Sequence, residues 1–347
     1  MCATAEVDGA GRGLVAFASF AFADRPGTSC VVVPETILSR SPEGAWLTTV
    51  RSEGRPAAVQ PVERVHTPGR VRFADDTVPA YRYRELVRAA VRRIAGGDVE
   101  KVVLARDRLA VAERDIDPRY LLRRLASANP GCWTFCVRGL VGSTPEMLLR
   151  RTGGRIFSRV LAGTGFPGRW PAGTGAELSE SSKDRSEHEY AVRSVLSGLA
   201  PFARRLAAPE RPAVLDLSAV THLATDVHGE LTADAPTLLA MVGALHPSAA
   251  VGGVPTAAAL DLISRLEPRD RGRYAGPVGW FDAAGDGEFG IALRCGQLAG
   301  PRVRLFAGCG VVAHSDPDTE VAEAGAKLRT FSAALSEEAE TQSRGSG

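Results

Sequence analysis

Residues 307–328, AGCGVVAHSDPDTEVAEAGAKL, constrain this chain more than any other stretch. The apolar segment before it, Val303 to Phe306, reads as a strand that runs into a glycine-rich loop. Ser315 and Asp316 are candidate helix N-caps, Pro317 suits a first helical turn, and Asp318 stands three after Ser315, the capping-box spacing. In the helix that follows, Glu320, Glu323 and Lys327 lie at i, i+3 and i+7. Residues turn by about 100° each, so the three share a face. Two carboxylates and an amine facing a glycine loop can hold a hard cation and an anionic substrate. They can equally be a solvated helix face with an i, i+4 ion pair, and the rest of the chain must decide.

Composition narrows the field. The 347 residues are 44% hydrophobic and 24% charged, enough for a large core in one domain or two. A net charge of +2 makes no electrostatic case for nucleic acid or a membrane surface. No apolar run nears the ~18 residues of a membrane span, and residues 1–30 lack a basic start and cleavage site, so a cytoplasmic protein is expected. The cysteines form no CxxC pair, which argues against zinc. Of 42 basic residues only Lys101, Lys183 and Lys327 are lysine, a bias that points to a GC-rich genome. Lysine can lose its proton and act as a base, which arginine cannot, so the three survivors draw interest.

Residues 1–80 carry no chemical motif; short apolar strands at Gly13 to Phe22, Cys30 to Val33 and Ala45 to Val50 alternate with Pro, Gly and charge. Helices are expected over Tyr81 to Ala95, Pro118 to Ser127, Asp184 to Leu206, Thr237 to Ala244 and Thr256 to Leu266. Strands are expected over Glu100 to Val111, Cys132 to Arg138 (broken at Gly139 and Gly142), Val214 to Leu217, Val220 to Leu231, Gly279 to Asp282 and Gly287 to Cys295. Met147 to Arg151 and Arg155 to Leu161 read as a hairpin through Gly153-Gly154, followed by a Gly/Pro loop from Gly163 to Gly175. His246 to Pro255 reads as a glycine-rich loop, and the last helix runs to about Leu335. The whole is α+β, with a disordered tail at 337–347.

Further signals are weak singly. Glu146 follows Pro145 at a strand start, and reads as surface by itself. Glu187-His188 reads as a charged helix face, and His222 on its apolar strand as a core histidine. Ala162-Gly163-Thr164 offers backbone N–H groups and a hydroxyl to a carboxylate, while Gly308 and Gly310 permit close backbone approach. Arg294, mid-strand between Leu293 and Cys295, demands a partner, and a substrate carboxylate could be it.

Their joint order along the chain is specific. KVVLAR (101–106), GSTPEMLLRR (142–151), LAGTG (161–165), SSKDRSEHEYAV (181–192), THL (221–223), LHPSAAVGGVP (245–255), EPRDRGRYAGPVGW (267–280), GEFGIALRC (287–295) and the 307–328 block resemble the chorismate-binding family. That family holds isochorismate synthases, salicylate synthases and the large subunits of anthranilate and aminodeoxychorismate synthases. The resemblance implies a single large α+β unit, antiparallel sheets flanked by helices, with residues 81–336 the catalytic region and 1–80 a variable first section. It implies chorismate as substrate and Mg²⁺ held by Glu187, Glu320 and Glu323, oxygen ligands that suit this cation. It implies Lys101 as the base that activates water and Glu146 as the acid that protonates the departing hydroxyl. Arg294, Tyr274 and Lys327 match positions that grip the second carboxylate or line the pocket. Gly163, Thr164, Gly308 and Gly310 match backbone and hydroxyl contacts, and His222 a histidine near the reacting ring.

Three positions separate the branches within the resemblance. Lys101 matches the water-adding enzymes. Ala162 stands where the aminodeoxychorismate type carries a nucleophilic lysine. Ala250 stands where pyruvate-eliminating relatives often have threonine. Together they favour an isochorismate synthase. A salicylate synthase, an ammonia-using synthase and an inactive chorismate-binding protein are the alternatives. No glutaminase domain is present, and no glutaminase partner is expected; a monomer is. LAGTGFPG departs from relatives with arginine after AGT, which bears on that loop and not on the class.

Overall fold

Runs of apolar and β-branched side chains set up antiparallel strands along the chain, and the computed structural model gathers most of these strands into two large sheets. It describes residues 10–23, 27–50, 63–75, 77–165, 181–217 and 220–336. The tail at 337–347 and most of the expected Gly163 to Gly175 loop lie outside them.

One sheet has nine described strands: β1 (Val15–Ser19), β2 (Cys30–Val32), β9 (Met147–Thr152), β10 (Arg155–Gly165), β11 (Ala203–Ala207), β12 (Ala213–Asp216), β13 (Thr221–Leu231), β15 (Pro277–Asp282) and β16 (Gly287–Ile291). Their order is β11-β13-β10-β9-β16-β15-β1-β2, with β12 also on β13. The other has seven: β5 (Val71–Asp75), β6 (Lys101–Ala112), β7 (Trp133–Val137), β8 (Leu140–Thr144), β14 (Gly253–Val254), β17 (Cys295–Ala299) and β18 (Arg302–Val311). A separate hairpin pairs β3 (Thr36–Ser41) with β4 (Gly44–Thr49). The helices are α1 (Ala80–Ala95), α2 (Pro118–Ala128), α3 (Ser182–Leu199), α4 (Leu238–Leu245), α5 (Thr256–Leu266) and α6 (Pro317–Leu335). Apolar stripes on α1 (Leu86, Val87, Ala90, Ile94) and α6 (Leu328, Phe331, Leu335) are buried in one continuous core. Among the described residues no helix is long and apolar enough to cross a membrane.

The chain changes sheets twice at neighbouring places. Pro145-Glu146 links β8 of the seven-stranded sheet to β9 of the nine-stranded one, and Ala292–Arg294 links β16 back to β17. Each link is bonded to a strand beside the other: Ile291 N–H of β16 donates to the Glu146 carbonyl (3.2 Å), and Ser143 N–H of β8 to the Arg294 carbonyl (3.3 Å).

Several local expectations change. Gly287 to Cys295 is two strands in two sheets, and Arg294 sits not mid-strand but in the link, at φ 46°. The supposed glycine loop after Phe306 is strand: β18 continues through Gly308 and Gly310, paired with Ala105 and Val103. A Cβ at Gly308 would crowd the Leu104 carbonyl, so glycine here allows close packing rather than a turn. Gly142 likewise lies within β8, where a Cβ would strike Cys295 and Phe135. β10 runs on through Gly163 and Thr164 to Gly165. α3 stops at Leu199, because Pro201 cannot continue it. Asp316 caps α6, accepting from Thr319 N–H at 2.8 Å, while the Ser315 hydroxyl turns back to Val312 N–H.

Candidate active site

The site lies where the two sheets and helices α3 and α6 meet. Lys101 opens β6 opposite Val254, and its side chain is wholly buried. Its Nζ is 3.4 Å from Glu187 Oε1 and 3.5 Å from the Glu187 carbonyl. Glu187 stands on α3, whose N-cap Ser181 accepts from Asp184 N–H. The Glu187 carboxylate occupies the space a side chain at residue 310 would need: a Cβ on Gly310 would collide with Oε1 and press on Lys101. Glycine there is therefore a steric condition for the Lys101–Glu187 pair. Burial pulls the Lys101 pKa down, against the upward pull of Glu187.

Across the pocket, Glu146 projects from the first crossover and is 4% exposed. Burial pushes its carboxyl up to about 8, although Lys101, Arg294 and Lys327 all favour the ionised form and Leu161 N–H donates to it. It is a protonated acid at neutral pH. Arg294 projects from the second crossover. Among the described residues neither Glu146 nor Arg294 forms an ion pair. The Arg294 Nη2 instead meets His222 Nε2 at 2.7 Å, and His222 Nδ1 lies 3.0 Å from the Gly163 carbonyl. Burial, then Arg294, lowers His222 to about 3.

The i, i+4 face of α6 is buried, not solvated. Lys327 Nζ donates to Glu323 Oε1 (2.6 Å) and to the Gly308 carbonyl (3.0 Å). Burial works most strongly against its charge, but the charge and hydrogen bond of Glu323 together with Cys309 leave the net shift upward. Ligand atoms of Glu320, Glu323 and Cys309 lie within 4.8 Å of one another. Burial, then Glu323, raises the Cys309 thiol far above its ordinary value, so it stays protonated and the anionic donors are carboxylate oxygens. Oxygen donors fit a hard divalent cation.

One small, partly open cavity is lined by Glu146, Gly163, Thr164, Glu187, His222, Ala250, Tyr274, Arg294, Gly308, Gly310 and Lys327. Lys101 lies just behind its wall, next to Gly310 and Glu187. Glu320 and Glu323 flank it from α6 and do not line it. Gly163 takes φ 75° and lets Asp184 approach, and the Asp184 carboxylate accepts from Thr164 N–H (3.2 Å). Tyr274 stacks on Phe306, 5.0 Å between centroids. A roomier cleft of about 800 Å³ opens elsewhere, beside Phe20, Phe22, His246 and Leu260, and none of the predicted residues lines it.

Sequence reasoning passed over two contributors. Arg271 also lines the cavity, held by Glu267 (2.5 and 2.9 Å) and by the carbonyls of Val103 and Val251. The Glu267/Arg271 i, i+4 spacing was its signal. His188, read as surface, is buried and bridges the Ala162 carbonyl (3.2 Å) and the Thr225 hydroxyl (2.7 Å), bracing β10 and β13. Nothing in the sequence around it separates a braced core histidine from an exposed one.

Comparison with known proteins identifies the family. Residues 60–336 match the family described as chorismate binding enzyme. The chain is 38% identical over 267 residues to isochorismate synthase DhbC of Bacillus subtilis, covering 73% of this chain and 67% of that one. It is 41% identical over 254 residues to the salicylate biosynthesis isochorismate synthase of Pseudomonas aeruginosa, covering 71% of this chain and 53% of that one. The structure of MenF, the menaquinone-specific isochorismate synthase from Escherichia coli, superposes with a TM-score of 0.78 at 27% identity, over 93% of this chain and 79% of that one.

Proposed function

This chain belongs to the chorismate-binding enzyme family, and from that premise we propose that it isomerises chorismate to isochorismate. The observation that carries the reading is the pair Lys101 and Glu146, held about one cavity with oppositely directed shifts. Burial favours a neutral amine at one and a protonated carboxyl at the other, the states a base and an acid need at the start of turnover. Lys101 takes a proton from water as its oxygen bonds to ring C2. The ring double bond shifts, the bond from C4 to its hydroxyl breaks, and Glu146 supplies the proton with which that hydroxyl leaves as water. Exchange with solvent returns both groups to their first states. Arg294 meets one substrate carboxylate, with Lys327, Tyr274 and the backbone at Gly163, Gly308 and Gly310 fixing the rest.

The family is metal-dependent, and Mg²⁺ is the cation this donor set suits. Glu320 and Glu323, already clustered, would hold it, and Glu187, which lies outside that cluster on Lys101, would turn to join them. Bound there it would neutralise a substrate carboxylate and orient the ring. Glu323 is matched to the Lys327 ammonium in the absence of the ion, which partly offsets the cost of burying its charge.

Ala250 presents no hydroxyl to the cavity, which favours release of isochorismate over pyruvate loss. The test is incubation of the protein with chorismate and Mg²⁺ followed by chromatography. Isochorismate should accumulate, with salicylate and pyruvate minor at neutral pH. Stoichiometric pyruvate would move the chain to the salicylate synthases, and no turnover would remove it from both.

A further inference from the structure

We propose that His222 is a positioning residue: its imidazole aims Arg294 at the substrate carboxylate and takes no part in proton transfer. This rests on the chorismate reading above for the identity of the anion, but the hydrogen-bond argument stands on the residues alone.

A guanidinium has only donors. At 2.7 Å from Arg294 Nη2, His222 Nε2 must therefore offer a lone pair. The proton is left to Nδ1, which faces an acceptor, the Gly163 carbonyl, at 3.0 Å. The two contacts select the same tautomer independently. Both ring nitrogens are then engaged by protein, so neither can give a proton to the substrate or take one from it.

Arg294 needs such a guide. It is 8% exposed, makes no ion pair among the described residues, and stands at φ 46° in a link between sheets, where no ladder bond fixes its side chain. Its one described side-chain hydrogen bond is to His222. His222 belongs to β13 in the nine-stranded sheet, while Arg294 leads into β17 of the seven-stranded one. The imidazole thus relays the position of the Gly163 backbone across the seam to the guanidinium. A carboxylate in its place would bind Arg294 more tightly but would compete with the substrate. A neutral acceptor orients the cation and leaves its charge available.

The experiment uses the full chain and three variants, His222→Leu, His222→Gln and Arg294→Met, with chorismate affinity read by calorimetry and kcat measured separately. Loss of a hydrogen bond to a charged group corresponds to about tenfold to a hundredfold in affinity. His222→Leu should weaken chorismate by that amount with a smaller change in kcat. His222→Gln, whose amide oxygen can accept from Arg294, should recover most of it. In the Arg294→Met background His222→Leu should cost nothing further. A kcat collapse in both His222 variants with affinity intact would overturn the proposal and make His222 an acid or base. Nitrogen NMR of the wild-type histidines supplies a readout free of substrate and of any variant that fails to fold. A neutral Nδ1–H ring unchanged from pH 5 to 8 is expected, and an Nε2–H ring would overturn the proposal. If the wild type bound no chorismate, the functional reading would fall, and the NMR signature would still decide the contact.

Discussion

The two halves of the pocket handle charge differently. On the side of α3 and α6 two of the carboxylates face amines: Glu187 with Lys101 at 3.4 Å, Glu323 with Lys327 at 2.6 Å. On the side of the crossovers Glu146 and Arg294 are buried and form no ion pair among the described residues. In the paired half the carboxylates Glu187 and Glu323 already have protein partners, which the proposed metal and substrate would exchange for their own. The other half keeps one group neutral and one cation guided by a neutral ring, which leaves both poised for groups the protein does not supply. Matching holds a charge in place, and leaving a group unmatched is what tunes its proton affinity.

Glu323→Gln should have the largest effect. It removes a proposed cation ligand and strands the Lys327 ammonium, and breaking one side of a buried pair costs about 3–5 kcal/mol. Turnover should vanish, Mg²⁺ binding by calorimetry should be lost, and Tm should fall. Full turnover in excess chelator would refute the metal assignment.

Lys101→Arg comes next. It keeps the charge but cannot release a proton, so kcat should drop by about 10²–10⁴ with chorismate still bound. A variant keeping more than about a tenth of wild-type kcat would show that Lys101 is not the base.

Glu146→Gln should lower kcat by a similar or smaller factor, and it separates the halves most sharply because it should not destabilise. The folded Glu146 keeps its proton up to about pH 8, against an ordinary 4.5. The folded state therefore binds more protons than the unfolded one across that window, and stability drains away as pH rises through it. The Tm of the variant relative to wild type should improve from pH 5 to pH 8. For the same reason wild-type kcat/KM should decline on the alkaline side near pH 8. A Tm loss in Glu146→Gln as large as in Glu323→Gln would erase the distinction between the halves.

Gly310→Ala is the mildest. Its methyl must push Glu187 aside, and misplacing a ligand by its support costs about 10–100-fold in metal affinity. Calorimetry with Mg²⁺ checks it, and unchanged affinity would mean Glu187 does not reach the ion.

What could be read from the sequence was local or carried by order. Helix α5 has the expected bounds, Thr256–Leu266, because periodicity and flanking residues mark it. The resemblance brought Lys101, Glu146, Glu187 and Arg294 to one site although the chain separates them by up to 193 positions, residue 294 less residue 101. Pairings across the fold were not legible. β1 pairs with β15, Val15 opposite Asp282, and no local pattern specifies a partner so distant. Glycine misled in a consistent direction. Gly142, Gly163, Gly308 and Gly310 suggested breaks, yet each lies inside a strand where something presses close. Arg294 reads as mid-strand because its flanks are apolar, but Leu293 lies with it in the link and only Cys295 begins a strand.

The double passage between sheets also bears on how such a pocket can diversify. Glu146 and Arg294 sit on the two short links that join β8 to β9 and β16 to β17, and each link bonds to a strand that adjoins the other. A substitution there disturbs both sheets at once, so selection has little room to experiment. Ala162 and Ala250 occupy a strand interior and a loop, with small side chains and no role in that stitching. New reactions can be tried at those positions without unpicking the seam, and the fixed chemistry and the variable chemistry of the site are thereby placed on separable parts of the backbone.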